Sequence, residues 1–449
     1  MSENAFRQPF FKNEVLSRIL KIAWPAILEQ IMVMMGGIVV TMFLGRYGTQ
    51  ELAAAGLVNM IIVVLQTAFA GLATGSTVVI ARITGEKQPR EARSALFQSL
   101  ILAGGLSVII TGLTWLAGDP LLSFFFRDVD PEVEQLAAIY FNFMMISMPF
   151  LSVDMTISAS MRGAGDTMTP MLITGLGSVT NIVLCLLLVG RLGITGAGIA
   201  LLTSRVVSSV LRIVFMLAYR RRLYLSFHEG YRLDLALISR IFRQGMPAFF
   251  EQAIMQGGFL MLNTILAYLG TTTLAAWQVG VNINSLAFMP IFGLAIATTT
   301  CVGQALGMRK PDEASAYQRE ALRTAVIVIT SIGILAAVFA RPLAGLYTTD
   351  PQVLVISVLL IWFFACTEPL LGVMNVSAAV LRAGGDIMYV TLTALIGLWL
   401  FRIGISSLLV YVFDLGIYGV MIGTGLDFLV RATLYYLRVR KGRWKERIV

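Results

Sequence analysis

The chain has 449 residues, of which 57% are hydrophobic and only 13% are charged, and its formal net charge is +9 at pH 7. About a quarter of the residues in a soluble domain are charged, so this composition excludes an ordinary soluble protein. In lipid, long apolar runs form helices because every backbone polar group must be satisfied within the chain. The composition therefore predicts an all-α polytopic membrane protein.

Twelve predominantly apolar segments follow one another along the chain, and a helix needs roughly 20 such residues to cross a bilayer. The predicted spans are residues 18–44, 52–82, 93–118, 133–160, 168–189, 192–219, 238–268, 273–305, 315–345, 352–380, 388–411 and 414–438. Residues 1–16 are polar and the first apolar run already has full length, so we expect no cleavable signal peptide. The sequence predicts twelve transmembrane helices.

The seventh span repeats a pattern that opens the first span. Pro25-Ala26-Ile27-Leu28-Glu29-Gln30 returns 222 positions later as Pro247-Ala248-Phe249-Phe250-Glu251-Gln252. Arg162-Gly163-Ala164-Gly165-Asp166 returns at an offset of 220 as Arg382-Ala383-Gly384-Gly385-Asp386. Each half holds six spans, an even number, so the second half enters the membrane from the same face as the first. We predict two parallel six-helix repeats, related by a pseudo-two-fold axis along the membrane normal, around a central cleft.

Positive charge is distributed unevenly between the two sides of the membrane. The N-terminus and every second loop collect most of the Lys and Arg, whereas the other side has only Arg46, Arg127, Arg191 and Arg341. This asymmetry places both termini in the cytoplasm and explains the net charge without a nucleic-acid partner. The predicted domains are an N-terminal six-helix lobe (1–219), a basic cytoplasmic linker (220–236) and a C-terminal six-helix lobe with a basic tail (237–449).

Ionisable side chains inside the predicted spans are costly, so each is a candidate for function. They are Glu29, Asp154, Arg205, Glu251, Glu368, Arg402, Asp427 and Arg431. Glu29 and Glu251 each follow a proline by four residues, where the helix is expected to kink and to free a carbonyl. A carboxylate beside a kink could bind a proton or a cation, or it could be a buried structural group that hydrogen-bonds to a neighbouring helix. We regard Glu29, Asp154, Glu251 and Glu368 as candidates for ion coupling.

The charges of the last two spans suggest ion pairs. Asp427 and Arg431 are four residues apart and can neutralise each other on one helix face, which favours a structural role. Arg402 lies near the middle of its span and needs a carboxylate of its own half, for which Glu251, Glu368 and Asp427 are the possible partners.

Charged residues also mark the cytoplasmic ends of several spans. Arg162 and Asp166 share one predicted cytoplasmic turn, and Arg382 and Asp386 share the matching turn. These opposite charges could latch the cytoplasmic face, or they could only hold the turn, which we favour. Arg212 is close enough to the end of its span to extend its side chain toward water.

The sequence contains none of the usual sets of catalytic, nucleotide-binding or metal-binding residues. The three cysteines lie inside spans without a Cys-x-x-Cys pair, and His228 is the one histidine, so we expect no metal and no cofactor. A Gly-x-x-x-x-Gly-Lys-Ser/Thr loop is absent, which disfavours ATP-driven pumping by this chain. We therefore expect that the protein is not an enzyme, since no nucleophile and base stand together.

Several stretches resemble the multidrug and toxic compound extrusion (MATE) transporters. They are Pro25-Ala26-x-x-Glu29-Gln30, Gly45-Arg46-x-Gly48, Arg162-Gly163-Ala164-Gly165-Asp166-Thr167, Gly193…Gly196-Ala197-Gly198 and Leu398-Trp399-x-Phe401-Arg402-Ile403. The resemblance covers nearly the whole chain. It implies twelve helices in two lobes, a V-shaped cleft, and export of drugs in exchange for protons or sodium ions.

The chain departs from this family at the coupling residues. Prokaryotic relatives often carry an Asp in the first span and another in the fifth, where this sequence has Val40 and Cys185. The proton coupling that the resemblance implies for the N-terminal lobe cannot be transferred to this chain. Glu251 and Glu368 lie in spans where sodium-linked relatives hold acidic residues, although at shifted positions. Our boldest hypothesis places coupling in the C-terminal lobe at Glu251, with Glu29 as the competing site.

The sequence as a whole predicts a secondary antiporter in the cytoplasmic membrane of a prokaryote, acting as a monomer. The five carboxylates in the spans outnumber three arginines, which favours small amphiphilic organic cations as substrates, exchanged for protons or sodium ions. A flippase for lipid-linked precursors is the alternative, and its cleft would be expected to carry several basic residues.

Overall fold

The structure is a computed structural model that describes residues 9–118, 130–218, 223–226 and 230–446, with side chains from residue 14. Within these ranges the chain is helical and contains no strand. The helices are α1 (Pro9–Tyr47), α2 (Thr49–Gly85), α3 (Pro89–Leu116), α4 (Pro131–Gly163), α5 (Met168–Ala218), α6 (Leu235–Tyr268), α7 (Thr271–Gly307), α8 (Pro311–Val338), α9 (Ala340–Gly345), α10 (Pro351–Ala383), α11 (Ile387–Tyr411) and α12 (Gly416–Arg440). Arg127, His228 and the predicted linker residues Arg220–Arg222 lie outside the described residues.

Each predicted span corresponds to helix in the structure. Ten helices of the described ranges are long and apolar enough to cross a membrane. One of them, α5, contains both predicted spans 168–189 and 192–219. Gly193 breaks it with a φ of 56° and a ψ of −131°, a combination that only glycine adopts without strain. The predicted span 238–268 is α6, and 315–345 is α8 followed by the short α9. The all-α polytopic fold is therefore confirmed.

The sequence repeat extends to the ends of the helices. Asp130 and Asp350 precede Pro131 and Pro351, and each Asp side chain accepts a hydrogen bond from a backbone N–H in the first turn of its helix. An Asp cap followed by proline starts a helix well, because proline occupies a position whose N–H would have no helical partner. Matching residues therefore begin α4 and α10 in the same way.

The turns of the two halves also share their backbone conformation. Lys87 and Arg309, 222 positions apart, both adopt a left-handed conformation, with φ of 58° and 56°. Gly165 and Gly385, 220 positions apart, have φ of 87° and 77°. Positive φ is uncommon for a residue other than glycine, so the pair Lys87 and Arg309 shows that both copies close this turn with the same geometry.

The chain forms two compact units whose limits fall inside helices. The N-terminal unit is Leu28–Phe249, and the C-terminal unit is Met1–Ile27 together with Phe250–Val449. The divisions lie within α1 and α6, two residues after Pro25 and Pro247. The predicted lobes 1–219 and 237–449, joined by the linker 220–236, divide the chain at a different place and stay a prediction.

Close contacts at glycine explain why the first part of α6 belongs to the N-terminal unit. A Cβ atom added to Gly71 of α2 would lie 2.6 Å from the backbone nitrogen of Phe249, so no larger residue fits there. The equivalent contact in the C-terminal unit joins Gly293 of α7 to α1, where the added Cβ would lie 2.9 Å from the carbonyl oxygen of Ala23. Gly293 and Gly71 are 222 positions apart, so the two units use the same helix packing.

Candidate functional site

A cavity of about 500 Å³ lies inside the N-terminal unit, lined by residues of α1, α2, α4 and α5. Its volume falls within the range of roughly 300–1,000 Å³ that is typical of small-molecule pockets. Five charged side chains line it, namely Glu29, Asp154, Arg162, Arg205 and Arg212. Two of these, Glu29 and Asp154, are carboxylates that the sequence singled out.

Glu29 is satisfied by groups from two neighbouring helices. The Arg162 Nη1 atom donates to both of its carboxylate oxygens, at 3.1 and 3.0 Å. Ser158 and Thr174 donate to its Oε1 atom at 2.9 and 3.3 Å. The whole residue is only 4% exposed. Arg162 of α4 thus reaches the carboxylate on α1, in addition to standing beside the turn between α4 and α5.

Arg212 does not extend toward water, contrary to the sequence-based expectation, and is only 1% exposed. It forms an ion pair with Asp154 and donates to the Thr174 hydroxyl at 2.5 Å. Its Nη2 atom also lies 3.9 Å from Glu29 Oε1. The two carboxylates hold the guanidinium inside the unit because a charge pair within protein replaces the water that the end of the span would offer.

Arg205 is the third guanidinium of the cavity, and it has neutral partners only. Its Nη1 atom donates to Ser147 Oγ at 2.5 Å and lies 3.9 Å from the Met144 sulfur. No carboxylate of a described residue comes within 4 Å of it. The cavity therefore contains three guanidinium groups and two carboxylates.

The C-terminal unit repeats the pair formed by Glu29 and Arg162. Arg382 Nη2 donates to Glu251 Oε1 at 2.5 Å. Both residues of each pair are related by the sequence repeat, so this contact is a feature of both copies. The sequence analysis assigned Arg162 and Arg382 to turns and did not identify them as partners of Glu29 and Glu251. The signal that could have shown the pairing is that the Glu and the Arg both recur in the second half of the chain.

The aspartates of the same two turns have structural contacts. Asp166 caps the start of α5, where it accepts hydrogen bonds from the backbone and hydroxyl of Thr169 at 3.1 and 2.8 Å. Asp386 accepts a hydrogen bond at 2.7 Å from Arg438 near the end of α12.

Arg402, Asp427 and Arg431 form one buried cluster between α11 and α12. Arg402 Nη2 lies 2.8 Å from one Asp427 oxygen, and Arg431 Nε lies 2.5 Å from the other. Asp427, of the three possible partners, is thus the carboxylate that Arg402 contacts. The Arg402 guanidinium also stacks 4.7 Å from the centre of the Phe428 ring, a favourable cation–π arrangement.

The backbone around Arg402 is also unusual. Residues Ile396–Ile405 form a π-helix inside α11. π-helical turns are rare in proteins, and those that exist are often found at functional sites. The sequence carried no signal for this feature, since the apolar pattern of the segment is that of an ordinary span.

Among the buried carboxyl groups of the described residues, that of Glu368 on α10 is the one without a counter-ion. It is 2% exposed, and its Oε2 atom has no hydrogen-bond partner in the described part of the chain. The carboxyl lies against Gly333 of α8, where a Cβ atom would clash with it. Proline at position 369 cannot donate to the Ala365 carbonyl, so a free backbone oxygen is expected one turn before the carboxyl.

Val40 and Cys185, the two positions where the resemblance led us to look for carboxylates, are buried in the N-terminal unit. Val40 lines the cavity and is 7% exposed, whereas Cys185 is 0% exposed and contacts the side-chain oxygen of Asn181 at 3.6 Å. Val40 has no ionisable group, and Cys185 is not among the residues that line the cavity. Among the residues described, no group of three or more His, Cys, Asp or Glu stands together as a metal site.

Comparison with known proteins gives consistent results over the whole chain. The sequence pattern of the MatE family matches residues 25–187 and again residues 247–408. These two matches begin at Pro25 and Pro247, the corresponding prolines of the repeat. A probable multidrug resistance protein NorM of Thermotoga maritima is 30% identical over 464 residues, covering 99% of this chain and 98% of the relative.

Solved structures share the fold of this chain. A MATE protein crystallised in complex with MaL6 superposes with a TM-score of 0.89 at 24% identity, over 96% of this chain and 98% of that one. A MOP superfamily transporter from Pyrococcus furiosus, described as having a binding pocket of reverse polarity that suggests a different function, gives a TM-score of 0.88 at 24% identity, over 97% of both chains.

Proposed function

Because this chain belongs to the MatE family of multidrug efflux transporters, we propose that it is a secondary active antiporter that exports amphiphilic organic compounds in exchange for protons or sodium ions. The observation that carries the proposal is the charged cavity of drug-like size inside a unit built of membrane-spanning helices. Ionisable side chains at such depth mark substrate and ion pathways. We further propose the cytoplasmic membrane of a prokaryote as its location, with both termini cytoplasmic and a monomer as the working unit.

Ion coupling is proposed at Glu368. A coupling group must bind a proton or sodium ion in one state and release it in another. A buried carboxylate without a counter-ion is costly, and a bound proton or cation removes that cost. Glu368 is buried without any ionic or hydrogen-bond partner among the described residues, so it has the strongest requirement for such an ion. A free carbonyl at Ala365 would be a suitable additional oxygen ligand for sodium.

The other three candidate carboxylates are already neutralised by arginines. Glu29 contacts Arg162, Glu251 contacts Arg382, and Asp154 contacts Arg212. For coupling at Glu251, our hypothesis from the sequence, the ion would have to displace Arg382. These pairs support a different role, in which Glu29 with Arg162, and Glu251 with Arg382, each hold together helices of a single unit.

The charge of the substrate is a separate question. The sequence favoured cations because carboxylates outnumber arginines in the predicted spans. In the cavity, however, guanidinium groups outnumber carboxylates. The long side chains of Arg162 and Arg212 reach inward from the ends of their spans and line the cavity together with Arg205. The relative from Thermotoga maritima is named for multidrug resistance, which supports efflux over a flippase for lipid-linked precursors.

The proposed function is tested by efflux of two fluorescent dyes of opposite charge, cationic ethidium and anionic dansylglycine, from cells of a strain that lacks its own multidrug transporters. Cells that express the wild-type protein should retain less dye than cells with an empty vector. Dissipation of the proton and sodium gradients should remove this difference. Efflux that continues unchanged after both gradients are dissipated would exclude an antiporter.

The coupling site is tested in the same cells with Glu368→Gln, compared with Glu251→Gln and Glu29→Gln at matched expression. We expect Glu368→Gln to lose gradient-driven efflux while the purified protein still binds substrate. The assignment fails if Glu368→Gln keeps gradient-driven efflux and either of the other two variants loses it.

A further inference from the structure

We propose that Arg205 forms an anion subsite in the cavity of the N-terminal unit, so that the preferred substrates are amphiphiles with one carboxylate or similar anionic group beside an apolar body. This inference rests on the proposed function and assigns a substrate class to its cavity. It also differs from the organic cations that the sequence favoured.

The internal charge balance of the cavity leads to this substrate class. Glu29 lies 3.0 Å from Arg162, and Asp154 is paired with Arg212. Each of these carboxylates therefore has its own guanidinium partner within the wall. The positive charge of Arg205 is left over, and a ligand that brings one negative charge makes the occupied cavity neutral.

Arg205 has free capacity to bind such a group. A guanidinium carries five N–H donors in a planar fork that suits a carboxylate. Hydrogen bonds of Arg205 to described residues involve its Nη1 atom, with Ser147 and the Met144 sulfur as acceptors. Its Nε and Nη2 donors have no acceptor among the described residues, while the side chain lines the cavity. The fork is therefore held at one nitrogen and available at the others.

The surroundings of Arg205 suit the apolar part of an amphiphile. Met144, Met155, Leu201 and the Tyr140 ring line the same cavity. Methionine side chains are flexible and polarisable, so they adapt to apolar groups of different shapes. In a low-dielectric wall of this kind, a charge-assisted hydrogen bond to Arg205 is stronger than it would be in water.

The experiment uses three probes that share a dansyl fluorophore and differ in charge. Dansylglycine is an anion, its amide is neutral, and dansyl ethylenediamine is a cation. Binding to the purified full-length protein in nanodiscs is followed by fluorescence and corrected with empty nanodiscs. We expect the wild-type protein to bind dansylglycine more tightly than the other two probes. If the wild-type protein binds all three probes with equal affinity, or prefers the cation, the proposal of an anion subsite is wrong, and no variant is needed to show it.

Variants test whether the preference for the anionic probe depends on Arg205. Arg205→Gln should weaken dansylglycine binding about tenfold or more, as expected for a lost hydrogen bond to a charged group, and should leave the neutral amide unaffected. Arg205→Lys keeps the positive charge and should recover part of the affinity. Arg191→Gln is the matched control, because Arg191 lies on the same helix α5 and is exposed. Tight dansylglycine binding by a folded Arg205→Gln protein contradicts the proposal.

The two proposals fail in different ways. A protein that exports ethidium under a gradient but binds the three dansyl probes without dependence on Arg205 retains the proposed function and loses the subsite. A protein that binds dansylglycine through Arg205 but exports none of the compounds retains the subsite and loses the antiporter.

Discussion

Asp427 carries the negative charge for two buried arginines at once. With Arg402 at 2.8 Å and Arg431 at 2.5 Å, the cluster has one carboxylate for two guanidinium groups. Asp427→Asn therefore leaves two buried cations without a counter-ion, and we expect it to cost about 3–5 kcal/mol of folding stability. Thermal unfolding of the purified protein in detergent measures this loss.

Arg402→Met is the comparison for this prediction. It leaves the pair of Asp427 and Arg431 intact, so its cost should be clearly smaller than that of Asp427→Asn. Arg431 still neutralises the shared carboxylate in this variant, so the loss of Arg402 leaves no buried charge unpaired. An Arg402→Met protein that is less stable than Asp427→Asn would show that the cluster does not depend on this charge balance.

Gly333 makes room for the Glu368 carboxyl, since a Cβ atom at this position would overlap with it. Gly333→Ala should displace the carboxyl and reduce gradient-driven efflux several-fold, while protein level stays close to that of wild type. Gly112→Ala is the control, because an added Cβ there meets nothing within 4 Å. Equal efflux by both alanine variants would argue against Glu368 as the coupling group.

The sequence predicted which side chains are buried and charged better than it predicted their partners. Glu29 and Glu251 were identified because the apolar patterns around them are unambiguous. Arg162 and Arg382 were missed as their partners because both lie at helix ends, and sequence position does not show how far a long side chain reaches inward. The isolation of Glu368 depends on which helix packs against α10, and that is a property of tertiary structure.

At the scale of the helices, close contacts at glycine define how α1 and α6 pack. Gly71 meets the backbone of Phe249, and Gly293 meets the backbone of Ala23. Backbone cannot move aside as a side chain can, so Gly71→Ala and Gly293→Ala should each destabilise the protein by about 1–3 kcal/mol. Unfolding temperature and expression level measure the effect.

The control for these two variants is Gly56→Ala on the same helix α2, where an added Cβ has no neighbour within 4 Å. We expect Gly56→Ala to be neutral or slightly stabilising, because alanine favours helix more than glycine does. If the variants at Gly71 and Gly293 behave like Gly56→Ala, the first parts of α1 and α6 are not packed as described.

Hydrophobic patterns were sufficient to predict the helices but not the compact units. The break at Gly193 separates two predicted spans at nearly the expected position. The division of the units after Pro25 and Pro247 was not predicted. A connector rich in charge is easily recognised in a sequence as a boundary, whereas a continuous helix that passes from one unit into the other gives no such signal. The π-helix at Ile396–Ile405 depends in the same way on local packing.

For the whole molecule, the positive-inside distribution gives a topology that can be measured. Lys87 and Arg309 should face the cytoplasm, whereas Thr271 and Thr349 should face outward, and all four residues are exposed. Single cysteines at Lys87 and Arg309 should therefore react in intact cells only with a membrane-permeant maleimide. Cysteines at Thr271 and Thr349 should also react with an impermeant one.

The background for this labelling lacks Cys185, Cys301 and Cys366, of which the last is exposed. Arg309 and Thr271 provide an internal comparison, because they flank opposite ends of α7. Labelling of both from the same side would contradict the twelve-span arrangement.

The most direct test of coupled antiport is ion movement driven by substrate alone. The protein is sealed in liposomes with a proton- or sodium-sensitive dye inside and no ion gradient, and the exported amphiphile is then added on one side. We predict that the amphiphile crossing the membrane drives protons or sodium ions in the opposite direction, and that Glu368→Gln abolishes this ion movement. Substrate transport without any ion movement, or unchanged ion movement in Glu368→Gln, would contradict the account.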